Sequence, residues 1–415
     1  MQNVCAILEA VETVDKLAMA CAGAGLESAE GPAGPGTARA PHGSTAAQLR
    51  RRFGPDGVPA AVTVNGRSIP IELAVMPGGR RIPLLKTMLT TACERDCLYC
   101  PFRAGRNARR VTFRPEELAR VFDGVYRRGI VDGLFLTTGM FGGGANTQNR
   151  LLDTAEILRS RMGYRGYLHL KIMPGAERGQ VDRAMELADR VSVNLEAPNP
   201  ERLAVLAPHK GFDEELLAPL RWIDQIRRER PPQQGWRGRW PSSTTQFVVG
   251  AAPETDVELL QTTAWLLRNL HVTRSYFMAF DPVPGTPLEN RPAEDPVREH
   301  RLYQAFFLLR DYGFDLEDLS FQPDGRLPLE RDPKQAYAQA ALSGHPIEVN
   351  RADRTELLRV PGIGPRGADA ILRARRLGTH PRDLQDLHRL GVLGERAAPY
   401  ITLDGRRPRY QPRLL

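Results

Sequence analysis

From about residue 82 onward, apolar runs of seven or eight residues alternate with longer stretches in which apolar positions recur every three or four residues. The short runs are Pro83–Thr90, Gly133–Gly139, Gly166–Met173, Arg190–Glu196, Thr244–Gly250 and Arg274–Asp281. The helical patterns are Arg114–Arg128, Gln148–Met162, Glu177–Ala188, Phe212–Arg228, Glu254–Leu270 and Pro296–Tyr312. Strands alternating with helices predict βαβ units, a parallel sheet and right-handed crossovers. Six such units predict an α/β fold, a partial (β/α)6 barrel of TIM type.

Two of the strand patterns predict a working interior. In the third, His169, Lys171 and Met173 share one face, and Leu168, Leu170 and Ile172 share the other. In the fourth, Ser192, Asn194 and Glu196 oppose Val191, Val193 and Leu195. Helices cover the outside of such a barrel, so period-two alternation sends the polar sets into the lumen. Structural pairing among these residues is one reading. Substrate or cofactor handling is the favoured one, with Lys171, His169 and Glu196 as the candidate catalytic side chains.

The rhythm is interrupted in three places. Residues 1–22 read as a short amphipathic helix and residues 23–47 as an Ala/Gly/Pro/Ser-rich flexible stretch. Residues 1–80 are therefore expected to be a helix plus a flexible segment, with the barrel over 81–335. Arg230–Ser243 places Trp236 and Trp240 among arginines, which suits either a surface insertion or stacking on nucleobases. After Asp332-Pro333-Lys334 the character changes, and residues 345–415 predict a small all-α module.

In that module Val349–Val360 has helical spacing, Pro361-Gly362-Ile363-Gly364 makes a tight turn, and Pro365 suits a first helical position. Ala368, Ile371, Leu372 and Arg375 continue a second helix, giving a helix-hairpin-helix. Its glycines let a backbone approach closely, and amides at the second helix's N-terminus can hold a DNA phosphate without reading sequence. Gly362, Ile363, Gly364, Arg366 and Arg373 are the candidate DNA contacts, and Arg376 adds charge. Leu384–Ala397 reads as a degenerate second hairpin. Gly362, Gly364 and Gly367 also spell G-x-G-x-x-G, but a helix rather than a strand precedes them, so a dinucleotide fingerprint fails on context.

Composition is that of a globular protein, with 41% apolar and 26% charged residues among 415. Only five of the 57 basic residues are Lys, at 16, 86, 171, 210 and 334, so richness in Arg alone says nothing about function. The placement of charge says more. Residues 345–415 hold 14 Arg against 8 Asp plus Glu, which is +6 of the chain's +8. A basic module on a nearly neutral body suggests a polyanionic partner. Hairpins of this kind also mediate protein contacts, and the local charge favours DNA. No apolar run reaches transmembrane length, and acidic residues interrupt the N-terminal apolar stretch, so a cytoplasmic protein without a signal peptide is expected.

Five cysteines, three of them within eight residues, do not make a disulfide framework. Cys93, Cys97 and Cys100 have C-x3-C-x2-C spacing just after the first barrel strand. Three thiolates from one loop can occupy three corners of a [4Fe–4S] cubane and leave one iron open. The amino and carboxylate groups of S-adenosylmethionine can chelate that iron. An electron from the cluster then breaks a carbon–sulfur bond, and the resulting 5′-deoxyadenosyl radical takes hydrogen from substrate. Structural zinc, the rival, usually needs four ligands, and no fourth Cys follows.

The cysteine spacing, Tyr99 before the last Cys and the position after the first strand together resemble the radical S-adenosylmethionine superfamily. That resemblance implies further cofactor contacts. Thr137–Met140 stands where the superfamily's loop meets the methionine amino group; it lacks the usual acid, so backbone near Thr138 and Gly139 would serve. Asn194 and Glu196 stand where polar contacts to the ribose or carboxylate fall, and Gly250 belongs to the strand-then-glycine motif that packs on adenine.

The wider pattern resembles the radical S-adenosylmethionine proteins grouped as DNA modification or repair enzymes, from about Gly79 to Leu403. It is carried by Leu84-Leu85-Lys86, the three cysteines, Gly133-Leu134-Phe135-Leu136, Gly166-Tyr167-Leu168-His169-Leu170-Lys171, Ser192-Val193-Asn194, Leu206-Ala207-Pro208, Val249-Gly250-Ala251 and Val349-Asn350-Arg351-Ala352-Asp353. The implied function is radical modification or repair of DNA, with an electron donor such as flavodoxin or ferredoxin. Two rivals stand beside it: an enzyme acting on RNA, foremost transfer RNA, and a non-catalytic iron–sulfur scaffold that binds DNA.

Overall fold

The computed structural model of the chain describes residues 11–24, 61–64, 67–75 and 81–410. The described residues form two compact units, one within Met1–Pro253 and Arg268–Ala293, the other within Glu254–Leu267 and Glu294–Leu415. Among the described residues no helix is long and apolar enough to cross a membrane.

The first unit opens with helix α1 (Val11–Ala24) and a small antiparallel hairpin, β1 (Ala61–Val64) with β2 (Arg67–Pro70). Its main sheet runs in the order β3 (Glu72–Val75), β4 (Arg81–Met88), β5 (Gly133–Thr137), β6 (Tyr167–Lys171), β7 (Arg190–Ser192), β8 (Ser242–Val249) and β9 (Arg274–Ala279). β3 is antiparallel to β4, and the other neighbours are parallel. All six strands expected from the apolar runs are present. β1 to β3 fall inside the span read as helix plus flexible segment, because four-residue strands of mixed polarity carry no periodic signal. Residues 25–47 of the expected flexible stretch lie outside the described residues.

β5 and β6 are buried at every position, as expected for parallel strands covered on both faces. Covering helices include α2 (Pro115–Arg127), whose Glu117 carboxylate accepts from the Arg114 amide at 3.2 Å, α3 (Gly144–Glu156), α4 (Arg178–Leu187) and α5 (Pro200–Leu206). Beyond β7 the ladder slips. Val193 N donates to Thr244 O at 3.0 Å, yet Glu196 N donates to Gln246 O at 2.8 Å, so one extra residue stands on the β7 side. Glu196 takes φ +65°, rare for a residue with a long side chain, and this bulge re-aims its carboxylate.

The Trp-containing insertion packs on its own unit. The Arg159 guanidinium lies 3.9 Å from the Trp236 ring centre and bonds to the carbonyls of Tyr164, Gly166 and Leu187. Trp240 Nε1 donates to Arg230 O at 3.1 Å, and the Arg230 guanidinium covers its ring. Arg159, Tyr164 and Gly166 precede β6, Leu187 precedes β7, and Arg230 follows α6 (Ala218–Glu229) and precedes β8, all at the N-terminal rim and away from the cysteines that follow β4. Base stacking by this loop gives way to a structural role.

The second unit takes in α7 (Asp256–Asn269) up to Leu267, α8 (Pro296–Asp311), α9 (Pro333–Ala341) and the basic C-terminal module. Arg298 is fully buried there and bonds Asp256 at 2.8 Å, Glu294 at 2.6 Å and Glu254 at 3.3 Å. In the module α10 (Arg354–Arg359) starts with a reciprocal cap: Glu356 N donates to Asp353 and Asp353 N donates to Glu356. The chain turns through Gly362, at φ +87°, into α11 (Pro365–Arg376). A second turn through Gly391, at φ +78°, joins α12 (Leu384–Arg389) to the short α13 (Gly394–Ala397). The two turns meet where Leu393 N donates to Gly362 O at 3.0 Å. Ile363, Ile371, Leu387 and Val392 fill the core between them.

Candidate functional site

The loop after β4 carries Cys93, Cys97, Tyr99 and Cys100, and all four line a cavity of about 310 Å³. The cavity also meets Met88 of β4, Thr138 after β5, Lys171 of β6, Asn194 after β7, Gln246 of β8 and Met278 of β9. Six parallel strands laid flat would spread over roughly 24 Å at ~4.8 Å per strand. One cavity touching all of them requires the sheet to curl into a partial barrel, with the cysteines at the C-terminal ends of its strands, where such barrels place their chemistry.

Segments distant in sequence hold the cysteine loop. Leu98 N donates to Leu206 O at 2.8 Å, Asp96 bonds His209 at 2.5 Å, and Arg95 pairs with Glu215. Glu94 N donates to Met140 O at 2.7 Å, and its carboxylate accepts from the amides of Gly142 and Gly143, each at 3.0 Å. Gly139 seats the second-strand loop against the first, since a Cβ there would stand 2.2 Å from the Ala92 carbonyl oxygen.

The interior charges are paired. The Glu196 carboxylate lies 3.3 Å from Lys210 Nζ, and both side chains are buried. Tyr99 and Cys97 share the cavity wall with this pair. Burial pushes the Cys97 thiol up and the Cys100 thiol up to about 12, so metal binding must displace their protons. Burial alone would lower the Lys210 ammonium, but the Glu196 carboxylate beside it holds the proton on.

Nine of the eleven residues picked from sequence for catalysis, cofactor or metal share this wall: the three cysteines, Tyr99, Thr138, Gly139, Lys171, Asn194 and Glu196. Two do not. Gly250 is off the wall at φ +89°, with its carbonyl accepting from Arg291 Nε at 3.1 Å. His169 lies below the wall, fully buried against the Phe135 ring, and neither ring nitrogen has a hydrogen-bond partner. Burial, then the charges of Arg190, Lys171 and Lys86, pushes its imidazole well below the usual range, so it is neutral. Sequence reasoning missed Lys210, Glu94 and Gln246. Lys210 had a signal: it is one of five lysines in a chain with 52 arginines.

In the second unit Arg366, Arg373 and Arg376 are exposed along one side of α11. The Ile363 side chain is in the core, so only its backbone is available to a ligand, and its carbonyl already accepts from Lys334 Nζ at 2.6 Å. Gly362 is glycine for an internal reason, because a Cβ would lie 2.4 Å from Leu393 O. Gly364 has φ −100°, which any residue adopts, so its backbone does not require glycine.

The donor set fits an iron–sulfur cluster. Cys93, Cys97 and Cys100 are all free thiols on one loop, opening on a cavity rather than on packed side chains. Among the described residues no three His, Cys, Asp or Glu side chains are grouped to hold a single metal ion.

Residues 87–229 match the family model described as the Radical SAM superfamily. A tRNA-2-methylthio-N(6)-dimethylallyladenosine synthase from Vibrio campbellii (strain ATCC BAA-1116) is 25% identical over 154 residues, 37% of this chain and 23% of that protein. The chain thus spans about a quarter of the curated relative it matches. Among solved structures, methylornithine synthase (PylB) aligns with a TM-score of 0.43 and 16% identity, over 55% of this chain and 61% of that one. The FeFe-hydrogenase maturase HydG from Carboxydothermus hydrogenoformans aligns at 0.41 and 15%, over 55% and 51%. Alignments this weak carry no argument about substrate or partner. The match over 87–229 identifies this stretch as a radical S-adenosylmethionine superfamily domain, whose cofactors are a [4Fe–4S] cluster and S-adenosylmethionine.

Proposed function

We propose that this chain is a radical S-adenosylmethionine enzyme that modifies or repairs DNA, and that its C-terminal module is a helix-hairpin-helix DNA-binding domain. Cys93, Cys97 and Cys100 would hold the cluster. Thr138, Gly139 and Asn194 would orient S-adenosylmethionine beside it, and Lys171 would meet the substrate. When bound, the cofactors supply one electron and a primary carbon radical that takes hydrogen from substrate. The protein's part is to position both partners and exclude water, for which a cavity walled by Met88, Met140, Met173 and Met278 is suited. A small one-electron carrier such as flavodoxin or ferredoxin would reduce the cluster.

The observation that carries the DNA reading is the α10–α11 turn with three exposed arginines along α11. Backbone amides at the start of α11 and charges along it suit a phosphate backbone read without sequence preference. Transfer RNA is the second reading, favoured by the named activity of the Vibrio campbellii relative.

Two measurements test the proposal. The reduced, cluster-loaded chain is expected to release 5′-deoxyadenosine from S-adenosylmethionine; none released points to the scaffold. Duplex DNA is expected to bind more tightly than transfer RNA. Arg366→Ala is expected to lower duplex affinity alike on all sequences and to cut the salt slope by about 0.9. Tighter binding of transfer RNA moves the substrate to RNA.

A further inference from the structure

Lys210 stands in Ala207-Pro208-His209-Lys210-Gly211, outside every strand and more than a hundred positions from the cysteines. Its side chain is only 9% exposed and that of Glu196 only 7%, with Nζ and Oε1 3.3 Å apart. A buried ammonium has lost its water and must find partners. It has the Glu196 carboxylate here, and it stands on the same cavity wall as Cys93, Cys97 and Cys100. Simple neutralisation of Glu196 needs no place beside three cysteines. The left-handed backbone of Glu196, at the bulge, turns its carboxylate onto this one lysine. Neighbouring bonds reinforce the placement, with Asp96 on His209 and Leu98 on Leu206.

We infer that Lys210, with Glu196 as its counter-charge, sets the reduction potential of the cluster that Cys97 helps to hold. The inference rests on the cluster reading of the cysteine loop. Reduction adds one electron from the external carrier and makes the cluster more negative, while no bond of the protein forms or breaks. A buried ammonium beside the cluster ligands stabilises the more negative reduced form over the oxidised form and raises the potential. The carboxylate opposes part of that effect. Lys210 is thus a positioning and tuning residue that acts through its charge.

The test uses the full chain, reconstituted anaerobically, with iron and sulfide measured first. Reduction is then followed by electron paramagnetic resonance at controlled potentials. Lys210→Gln is expected to keep its cluster and, at the wild-type midpoint, to show a roughly tenfold lower ratio of reduced to oxidised cluster, ~59 mV for one electron. Lys210→Arg is expected to restore most of that loss, and Glu196→Gln to shift the midpoint upward. An unchanged midpoint in Lys210→Gln at full iron content overturns the inference. Should Lys210→Gln not hold iron, Glu196→Gln decides alone, and an unchanged or lowered midpoint there overturns it equally. A wild-type chain that binds no iron overturns the cluster reading instead.

Discussion

The cysteine loop of the first unit and the glycine turn of the second are both held by residues far away in the chain, but what they offer a ligand differs. Around the loop, Met140, Glu215, His209 and Leu206 hold Glu94, Arg95, Asp96 and Leu98, and the groups left facing the cavity are side chains, among them the buried Glu196–Lys210 pair. Around the turn, Lys334 and Leu393 occupy the carbonyls of Ile363 and Gly362, and what faces outward is backbone amide and solvated arginine. A buried site is sensitive to the loss of any partner, because an uncompensated charge or displaced loop has nowhere to relax. A surface site loses affinity in small increments, each screened by salt.

The sharpest break in the comparison comes from the ligands. Replacing Cys93, Cys97 or Cys100 with Ala is expected to remove the roughly four irons and four sulfides of an anaerobically reconstituted chain. Cys21→Ala is expected to leave them, since Cys21 is buried off the cavity wall. Next comes a buried ion network with no ligand role. Arg298→Met strands Glu254 and Asp256 and is expected to cost roughly 3–5 kcal/mol in denaturant unfolding. If that loss is absent, burial of charge is not what makes the interior fragile.

Three glycines sharpen the contrast further. Gly139→Ala would drive a Cβ into the Ala92 carbonyl, so cluster content and S-adenosylmethionine affinity are expected to fall together. Gly362→Ala meets Leu393 O and needs a left-handed backbone, so it is expected to lower thermal stability by about 1–3 kcal/mol. Gly364 is neither left-handed nor crowded, its nearest neighbour being Tyr312 Oη at 3.4 Å. Gly364→Val is therefore expected to leave the melting temperature in place and weaken duplex binding. A melting temperature that falls as far as in Gly362→Ala would assign both glycines to packing.

The smallest expected effect is a pH slope. Burial pushes the Lys334 ammonium down to about 7. Between pH 7 and roughly 10 the unfolded chain therefore carries a proton that the folded one lacks, and stability rises with pH across that window. Below pH 7 both forms are charged and the gain is gone. Lys334→Met is expected to flatten the rise in urea midpoint between pH 7 and 9, and an unaltered rise would place its origin elsewhere.

Lysine usage shows how much of the site was legible. None of the five lysines is exposed: Lys86 and Lys171 are buried, the Lys210 side chain is only 9% exposed, and Lys16 and Lys334 are half-buried. In a chain that writes nearly every surface cation as Arg, a retained Lys marks a place for a compact ammonium. Read that way, Lys210 would have joined Lys171 among the candidates. His169 and Gly250 were placed by face and motif, yet neither lies on the cavity wall. Strand alternation gives the side of the sheet but not the depth along the lumen.

Local pattern, read from the sequence alone, determined the six β/α repeats, the C-x3-C-x2-C loop after the first of them, and the two glycine turns of the basic module. Each of those signals lies within a window of a few turns or one strand, where periodicity, capping and left-handed glycine act. Only the tertiary structure decided that Lys210 stands at Cys97, that a bulge turns Glu196 onto it, that Arg298 gathers three carboxylates, and that Gly362 is small because of Leu393. Those pairings join residues up to 113 positions apart. They are chosen when burial strips water from a charge and leaves it whatever partner the fold brings within reach, which no local window records.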